Sequence, residues 1–404
     1  MENSRKPPGF WTITLLFVAF SLVLKLSSWN FPHNLGDEPI FWGLSENLAY
    51  KGEYNLSGKP ILQKLPASMY DRELFQHPPL YPALLIPFVL WGSTQSAMLL
   101  SWCSHGLTLV ALALILRSML SARPGGFDAL SPCFWVPMLG LAVDPFLTFM
   151  STKLWIDGLL TGLIALSMSS FILAERARRP SLSLAVGGVL LGLAALAKLV
   201  AVVLMPVVAV VLWSAARGNL KTFFRSAVIA FLPVVVLVSP WVAIFYRQYG
   251  ELTPTWFHLR DSPLLELPFA AACAQRPVTY YLAKTGMVQP LFLLGLVFCL
   301  NRTTLANASY RIGLVWCAVF LAAITLLSTD YGFQMRYIGP MVPSFYLMLA
   351  GLLQCAHRRR QEVVIAGLLC ITYAGLSGAL YLFNPDYHEV YSFLEWGQFV
   401  SFEP

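Results

Sequence analysis

The sequence predicts an all-α fold, that of a polytopic integral membrane protein with about eleven transmembrane helices. Of its 404 residues, 57% are hydrophobic and only 12% are charged, whereas soluble domains carry about 25% charged residues. Apolar runs recur along the chain at about 18 to 20 residues, the length that crosses the hydrocarbon core of a bilayer. No polar stretch is long enough for a separate globular domain, so residues 1–404 are predicted to form one membrane domain.

The apolar runs give the approximate bounds of the eleven helices. In chain order these are 11–28, 97–119, 132–150, 155–175, 182–197, 199–215, 223–246, 287–300, 312–328, 340–356 and 363–383. A shorter apolar stretch, 80–92, contains internal proline and is predicted to be a half-helix or the first part of a broken span.

Two further segments are predicted to be interfacial helices in the long loops. Segment 37–50 carries apolar residues at helical spacing, which is typical of an amphipathic helix at the membrane surface. These residues are Ile40, Phe41, Leu44, Leu48 and Ala49. The segment around 276–285 has aromatic residues that suit the same location.

The distribution of Lys and Arg predicts the orientation. The short loops on one side are rich in Lys and Arg and poor in acidic residues, which identifies that side as cytoplasmic. The other side carries the long loops 29–79 and 247–286, the loop 329–339 and the tail 384–404. Eleven spans then place the N-terminus inside and the C-terminus outside. This topology accounts for the net charge of +7, so no nucleic-acid partner is predicted.

Asp37 and Glu38 form the first candidate site, close to the outer end of the first span. A carboxylate there can act as a general base toward an acceptor hydroxyl, and apolar surroundings favour this role. The alternative is a structural one, in which the acidic pair stabilises the start of the following helix through its dipole.

Asp157 lies at the outer end of the fourth predicted span, on the same side as Asp37. Its structural alternative is an ion pair with Lys153, four residues earlier. For Asp144, before Pro145, the favoured interpretation is structural, namely a polar group that satisfies a proline-kinked helix.

Three outward side chains, His77, Arg276 and Arg336, could together hold a phosphate, because guanidinium groups match phosphate oxygens. Contact with lipid headgroups is the alternative for each of them. Lys198 lies at a tight turn between two apolar runs, where snorkelling and a functional role both remain open.

The sequence also lacks several well-known motifs. It contains no Walker A motif, GxGxxG, HExxH or GxSxG, so nucleotide chemistry gains no support and a donor is expected from the membrane. The seven cysteines show no metal-binding spacing. No metal ligands are therefore predicted.

The motifs occur in a characteristic order over about residues 30–340. They are Gly36-Asp37-Glu38 after the first span, His77-Pro78-Pro79-Leu80 at the end of the first loop, Asp157 at a helix start, the Gly192-to-Lys198 turn, Pro240-Trp241, Arg276-Pro277 with Tyr280-Tyr281, and Arg336-Tyr337 with Pro340. This set resembles the polyprenyl-phosphate-sugar glycosyltransferases of the GT-C superfamily. The closest branch contains the protein O-mannosyltransferases and the lipid A aminoarabinose transferases.

The resemblance implies a hexosyl- or pentosyltransferase in which a lipid-linked sugar phosphate enters from the outer leaflet. Asp37 is the expected base, and Glu38 and Asp157 orient it or the acceptor. The sugar is transferred with inversion, and polyprenyl phosphate leaves. The expected phosphate- or substrate-binding residues are His77, Lys153, Arg276, Arg336 and Tyr337.

The chain departs from the family pattern in two ways. His77 replaces the usual lysine, which weakens phosphate binding or makes it pH-dependent. The large C-terminal soluble domain of some members is not expected here, which favours a lipid or small glycan acceptor over a protein. Metal use stays open, because some GT-C enzymes need a divalent cation and others do not.

The main alternative is a transporter or lipid flippase. Such proteins concentrate polar residues near the bilayer midplane. The ionisable residues here lie at the outer side, which favours an interfacial active site. A prokaryotic cytoplasmic membrane with the site facing outward is the expected location.

Overall fold

The computed structural model describes most of the chain. The described residues are 9–31, 37–59, 78–121, 127–250, 279–298, 301–327, 335–356 and 360–383. Within them every regular element is helical. The helices are α1 (Phe10–Lys25), α2 (Glu38–Lys51), α3 (Leu80–Leu90), α4 (Thr94–Leu120), α5 (Pro132–Ala142), α6 (Pro145–Ser151), α7 (Ile156–Ala174), α8 (Pro180–Ala197), α9 (Met205–Ala216), α10 (Leu220–Tyr249), α11 (Thr279–Val288), α12 (Pro290–Val297), α13 (Arg302–Ala306), α14 (Ala308–Leu327), α15 (Val342–Cys355) and α16 (Arg360–Phe383), with 3-10 segments at Leu26–Ser28, Leu199–Leu204 and Met335–Met341.

The membrane character of the chain is clear from these helices. Among the described residues, eight helical segments are long and apolar enough to cross a membrane, and the bent pair α5–α6 makes nine. The shorter apolar helices are α3 and, in α14, Ala308–Ile324. The predicted all-α membrane fold is confirmed, while the count of eleven spans stays a prediction.

Proline residues begin a new helix at two breaks in the bundle. α5 and α6 meet at a bend of 43°, with Asp144 between them and Pro145 opening α6. α11 and α12 are separated by Gln289, and Pro290 opens α12. Proline has no backbone N–H and fits the first turn of a helix, so each proline begins a new helix instead of continuing the old one.

The centre of the bundle is formed by α7 and α15, whose side chains are almost all buried. By contrast, α10 and α16 expose long rows of apolar side chains, as expected where a helix faces lipid. A functional group held between α7 and the segment before α15 is therefore surrounded by protein.

Both predicted interfacial helices form, but they pack on protein. Phe41 and Leu44 of α2 are buried, and the Phe41 ring lies 5.1 Å from the Tyr81 ring of α3. In α11, Tyr281 and Thr285 are buried. The apolar faces of these two helices therefore pack against the rest of the bundle.

Candidate active site

Arg336 is the centre of a charged cluster at one end of the bundle. It lies in the 3-10 segment Met335–Met341, which leads directly into α15. Gly339 lets this segment lie against α6 and α7, because an added Cβ would come within 2.5 Å of Met150 and 2.9 Å of Thr161. The Arg336 side chain is only 8% exposed, so its charge requires partners.

Asp37 is the first partner of Arg336. Its Oδ2 lies 2.7 Å from Arg336 Nη2, and the Asp37 side chain is 31% exposed. Asp37 directly precedes α2, yet its side chain makes no capping hydrogen bond to that helix. The carboxylate is therefore directed to the guanidinium, and it is the accessible acid of the cluster.

Asp157 is the second acid and is almost fully buried at 1% exposure. Its Oδ1 accepts a hydrogen bond from Lys198 Nζ at 2.9 Å, and its Oδ2 lies 3.7 Å from Arg336 Nε. The structure therefore joins Asp37, Asp157 and Arg336, three of the predicted site residues.

The predicted ion pair between Lys153 and Asp157 is wrong, since Lys198 takes that position. α7 begins only at Ile156, and Trp155 before it has an extended backbone. Lys153 therefore lies outside the helix, and the four-residue spacing does not place the two side chains on one helical face.

Aromatic rings hold the two cations from the side. The Arg336 guanidinium carbon lies 4.6 Å from the Trp155 ring centroid and 5.6 Å from that of Tyr337. Lys198 Nζ lies 4.4 Å from the Tyr337 centroid. These contacts fix the cations by attraction to the ring faces. Tyr337, predicted to bind substrate, thus lies in the cluster with its ring against the two cations.

Glu38 is fully buried and fixes the geometry of the loop that carries Asp37. Its Oε1 accepts a hydrogen bond from the backbone N–H of Leu154 at 2.8 Å. Leu154 lies in the turn between α6 and α7. Because Glu38 is the next residue after Asp37, this contact sets where the Asp37 carboxylate sits.

The cluster contains three carboxylates, Asp37, Asp157 and Glu38, and Lys153 is a third cation beside it. Asp37 and Asp157 face the two cations Arg336 and Lys198. Lys153 is half-buried next to Leu154, and its ammonium forms no hydrogen bond or ion pair with any residue that the structure describes.

Two predicted site residues, His77 and Arg276, lie outside the described residues. The residue after His77 is held in place, since Tyr54 donates a hydrogen bond to the Pro78 carbonyl at 3.3 Å. The side chain of Tyr280 is not described either.

The described carboxylates do not form a metal site. Asp37 and Asp157 are directed to cationic side chains, and Glu38 accepts from a backbone N–H. Over the described ranges, no group of three His, Cys, Asp or Glu side chains is placed to hold a metal ion. As placed here, the oxygens of these carboxylates bind Arg336, Lys198 and the backbone N–H of Leu154.

Sequence reasoning left Lys198 and Trp155 out of the site. Lys198 was recognisable as the last residue of the Gly192-to-Lys198 turn, but its acid partner was not. Trp155 gave no sequence signal beyond being next to the start of α7.

Comparison with known proteins places this geometry in a known fold. The sequence matches no known protein family, and no curated protein matches it. The structure is similar to the crystal structure of ArnT from Cupriavidus metallidurans bound to undecaprenyl phosphate, with a TM-score of 0.62, 18% identity and 93% of this chain covered.

Two archaeal structures are also similar. An Archaeoglobus fulgidus oligosaccharyltransferase in complex with Zn and sulfate gives a TM-score of 0.52 at 12% identity, with 92% of this chain covered. The oligosaccharyltransferase AglB of the same organism, in complex with an inhibitory peptide and a dolichol-phosphate, gives 0.50 at 13% identity, also with 92% covered.

The chain spans 66% of the ArnT chain and 53% and 55% of the two archaeal chains. At these identities the likeness shows the fold alone. ArnT and AglB are GT-C glycosyltransferases, so the chain has the GT-C-like fold that its sequence predicts.

Proposed function

We propose that this protein is a membrane glycosyltransferase that moves a sugar from a polyprenyl-phosphate donor to a hydroxyl acceptor. The observation that carries the proposal is the partly exposed Asp37 carboxylate, held 2.7 Å from Arg336 at a charged end of a GT-C-like bundle. The similar ArnT structure holds undecaprenyl phosphate, and the AglB structure holds dolichol-phosphate. Both support a lipid-linked donor.

The reaction requires a base, and Asp37 has the properties of one. A neighbouring cation favours the ionised form of a carboxylate, which is the form that accepts a proton. Asp37 takes the proton of the acceptor hydroxyl while that oxygen forms a bond to the anomeric carbon of the sugar. The bond from this carbon to the phosphate oxygen breaks, its electron pair stays on the phosphate, and the configuration at carbon is inverted.

The leaving phosphate gains negative charge and requires compensation. Lys153 precedes Leu154 and so lies beside the Glu38 contact that positions Asp37, and it is proposed as one cation of the phosphate site. His77 and Arg276 are proposed to complete the phosphate site from the two long loops. Positive groups that are already in place stabilise the developing charge without reorganisation.

Buried Asp157 is proposed to act through Arg336 and Lys198. It is 1% exposed and bonded to Lys198, so it does not itself meet the acceptor. The negative charge of Asp157 holds Arg336 and Lys198 in the positions that they require around Asp37 and the donor. Arg336 and Tyr337 are thus part of the frame around the base, and a lipid or glycan hydroxyl is the proposed acceptor.

The test is sugar transfer by purified protein in membranes. A panel of radiolabelled polyprenyl-phosphate sugars is supplied with an acceptor extract, and lipid and glycan products are separated. We expect wild type to move label and Asp37→Asn to lose turnover while remaining folded. Asp128→Asn is the matched control, because Asp128 caps a turn at the opposite, basic end of the bundle.

The outcomes separate the alternatives. Retained turnover in Asp37→Asn removes Asp37 as the base. If folded wild type moves no label from any donor, but a fluorescent lipid crosses the membrane only in its presence, the protein is a flippase and the proposed function is wrong.

A further inference from the structure

A second polar cluster lies deep in the bundle, away from the charged site. The Asp144 carboxylate is fully buried, and its Oδ2 accepts hydrogen bonds from Tyr346 Oη at 2.7 Å and from Gln289 Nε2 at 2.8 Å. Its Oδ1 accepts from the backbone N–H of Leu147 at 3.1 Å. We call Asp144, Gln289 and Tyr346 the buried node.

The buried node is more than a helix cap. Pro145 opens α6, and a neutral Ser or Asn would cap its first turn equally well. A carboxylate is costly to bury and is retained only with strong partners. Here the extra partners come from two other parts of the chain, Gln289 between α11 and α12 and Tyr346 in α15.

Each part of the chain that meets at the buried node also reaches the charged end of the bundle. α6 runs from Asp144 for about 10 Å, at 1.5 Å per residue, to the turn that holds Glu38 through Leu154. α15 continues backward from Tyr346 into the segment that carries Arg336. α11 runs from Gln289 toward the second long loop.

These connections form a closed circuit. Glu38, next to Asp37, binds the N–H of Leu154, and α6 connects Leu154 to Asp144. Asp144 accepts a hydrogen bond from Tyr346, and α15 connects Tyr346 to Arg336. Arg336 closes the circuit by its contact with Asp37 at 2.7 Å. The parts between the contacts are short, packed helices that deform little. The spacing between Asp144 and Tyr346 therefore sets the spacing between Asp37 and Arg336.

We propose that Asp144 is a positioning residue that, through Tyr346 and α6, holds Asp37 and Arg336 at their working separation. The catalytic part of this inference rests on the proposed function. The structural part does not, because it concerns the distance between two described side chains.

The test compares two buried tyrosines. Tyr346→Phe removes the hydroxyl of the buried node. Tyr310→Phe is the matched control, since Tyr310 is equally buried and its hydroxyl donates to the Gly295 carbonyl at 2.6 Å outside the circuit. We expect Tyr346→Phe to lower kcat about 10- to 100-fold with little change in KM for the donor, because small misplacements of catalytic groups have effects of this size. Tyr310→Phe, per folded molecule, stays near wild type.

Hydrogen exchange provides a readout that does not depend on turnover. In Tyr346→Phe, backbone amides of residues 152–155 and 335–341 should exchange faster, whereas Tyr310→Phe should leave both segments unchanged. Asp144→Asn serves as a second variant and should show the same pattern. Unchanged exchange in these segments, or an equal loss of kcat in both tyrosine variants, overturns the inference. Inactive wild type with the expected exchange pattern refutes only the proposed function.

Discussion

Arg336 joins three separate parts of the chain in one contact region. Its Nη2 reaches Asp37 before α2, its Nε faces Asp157 at the start of α7, and its own segment leads into α15. Trp155 lies against the guanidinium plane. A planar group with several fixed donors suits this task, whereas a lysine offers only one point of charge.

Lys198 is expected to be essential to the stability of the charged cluster. Lys198→Met leaves Asp157 Oδ1 buried without its hydrogen-bond donor, and the free energy of unfolding should fall by about 1–3 kcal/mol, since Arg336 still faces the other oxygen. Thermal unfolding in detergent measures the change.

A double substitution separates pairing from packing. Asp157→Asn combined with Lys198→Met removes both charges, so it should be more stable than Lys198→Met alone. The single variants Asp157→Asn and Lys198→Met are measured beside it. If the double variant loses as much free energy of unfolding as the two single variants lose together, the two side chains are not coupled, and this account of Asp157 is wrong.

The sequence could indicate which residues face the charged end, but not how they pair. Asp37, Asp157 and Arg336 were predicted to lie on one side of the membrane because they follow or precede apolar runs. The partner of Asp157 depends on where α8 ends relative to α7, which is a tertiary contact. Local spacing therefore favoured Lys153, although Lys198 is the true partner.

At the scale of helices, α8 and α10 approach so closely that no side chain fits between them at Gly188. An added Cβ at this position would lie 2.1 Å from the Ala230 carbonyl oxygen of α10. A backbone atom cannot turn aside as a flexible side chain can. The contact between these two spans therefore requires glycine.

Gly188→Ala should accordingly separate α8 from α10 and destabilise the protein by at least about 1–3 kcal/mol, the usual range for overpacking. Gly106→Ala is the control, because its Cβ would meet Val18 of α1 at an ordinary 3.5 Å. Thermal unfolding should show a clear loss for the first variant and little or none for the second. Equal midpoints for the two variants would contradict the close contact.

Hydropathy predicted most helices to within a few residues, whereas the kink at Asp144 was indicated only by the proline that follows it. The run 132–150 reads as one span, yet it is two helices bent by 43° at Asp144. Broken spans keep their apolar composition because the freed polar groups are satisfied by other helices. Here Gln289 and Tyr346, which lie far away in sequence, donate hydrogen bonds to the Asp144 carboxylate at the break.

At the scale of the whole molecule, the GT-C-like fold could be predicted because many short motifs occur in the expected order. The likeness to ArnT and to the archaeal oligosaccharyltransferases agrees with that order. The sugar and the acceptor could not be predicted from the sequence. They depend on the two long loops that contain His77 and Arg276, and the sequence of these loops does not give their conformation.

The orientation of the molecule decides whether the charged end meets a donor in the outer leaflet. Two exposed lysines report on the two sides of the membrane. Lys51 is in the last turn of α2, in the same predicted outer loop as Asp37, and Lys221 is in the first turn of α10, beside the basic loop. In a variant whose seven native cysteines are replaced by serine, each lysine is changed in turn to cysteine. A charged maleimide that does not cross membranes is then added to intact cells.

We expect Lys51→Cys to react in intact cells and Lys221→Cys to react only after the cells are broken. This expectation follows from the positive-inside rule, by which loops rich in Lys and Arg stay in the cytoplasm; the basic end is then expected inside and the Asp37 end outside. The reverse pattern would place Asp37 in the cytoplasm, where nucleotide sugars are also present as donors. The transferase chemistry of the site would then have to be tested with those donors instead of with polyprenyl-phosphate sugars.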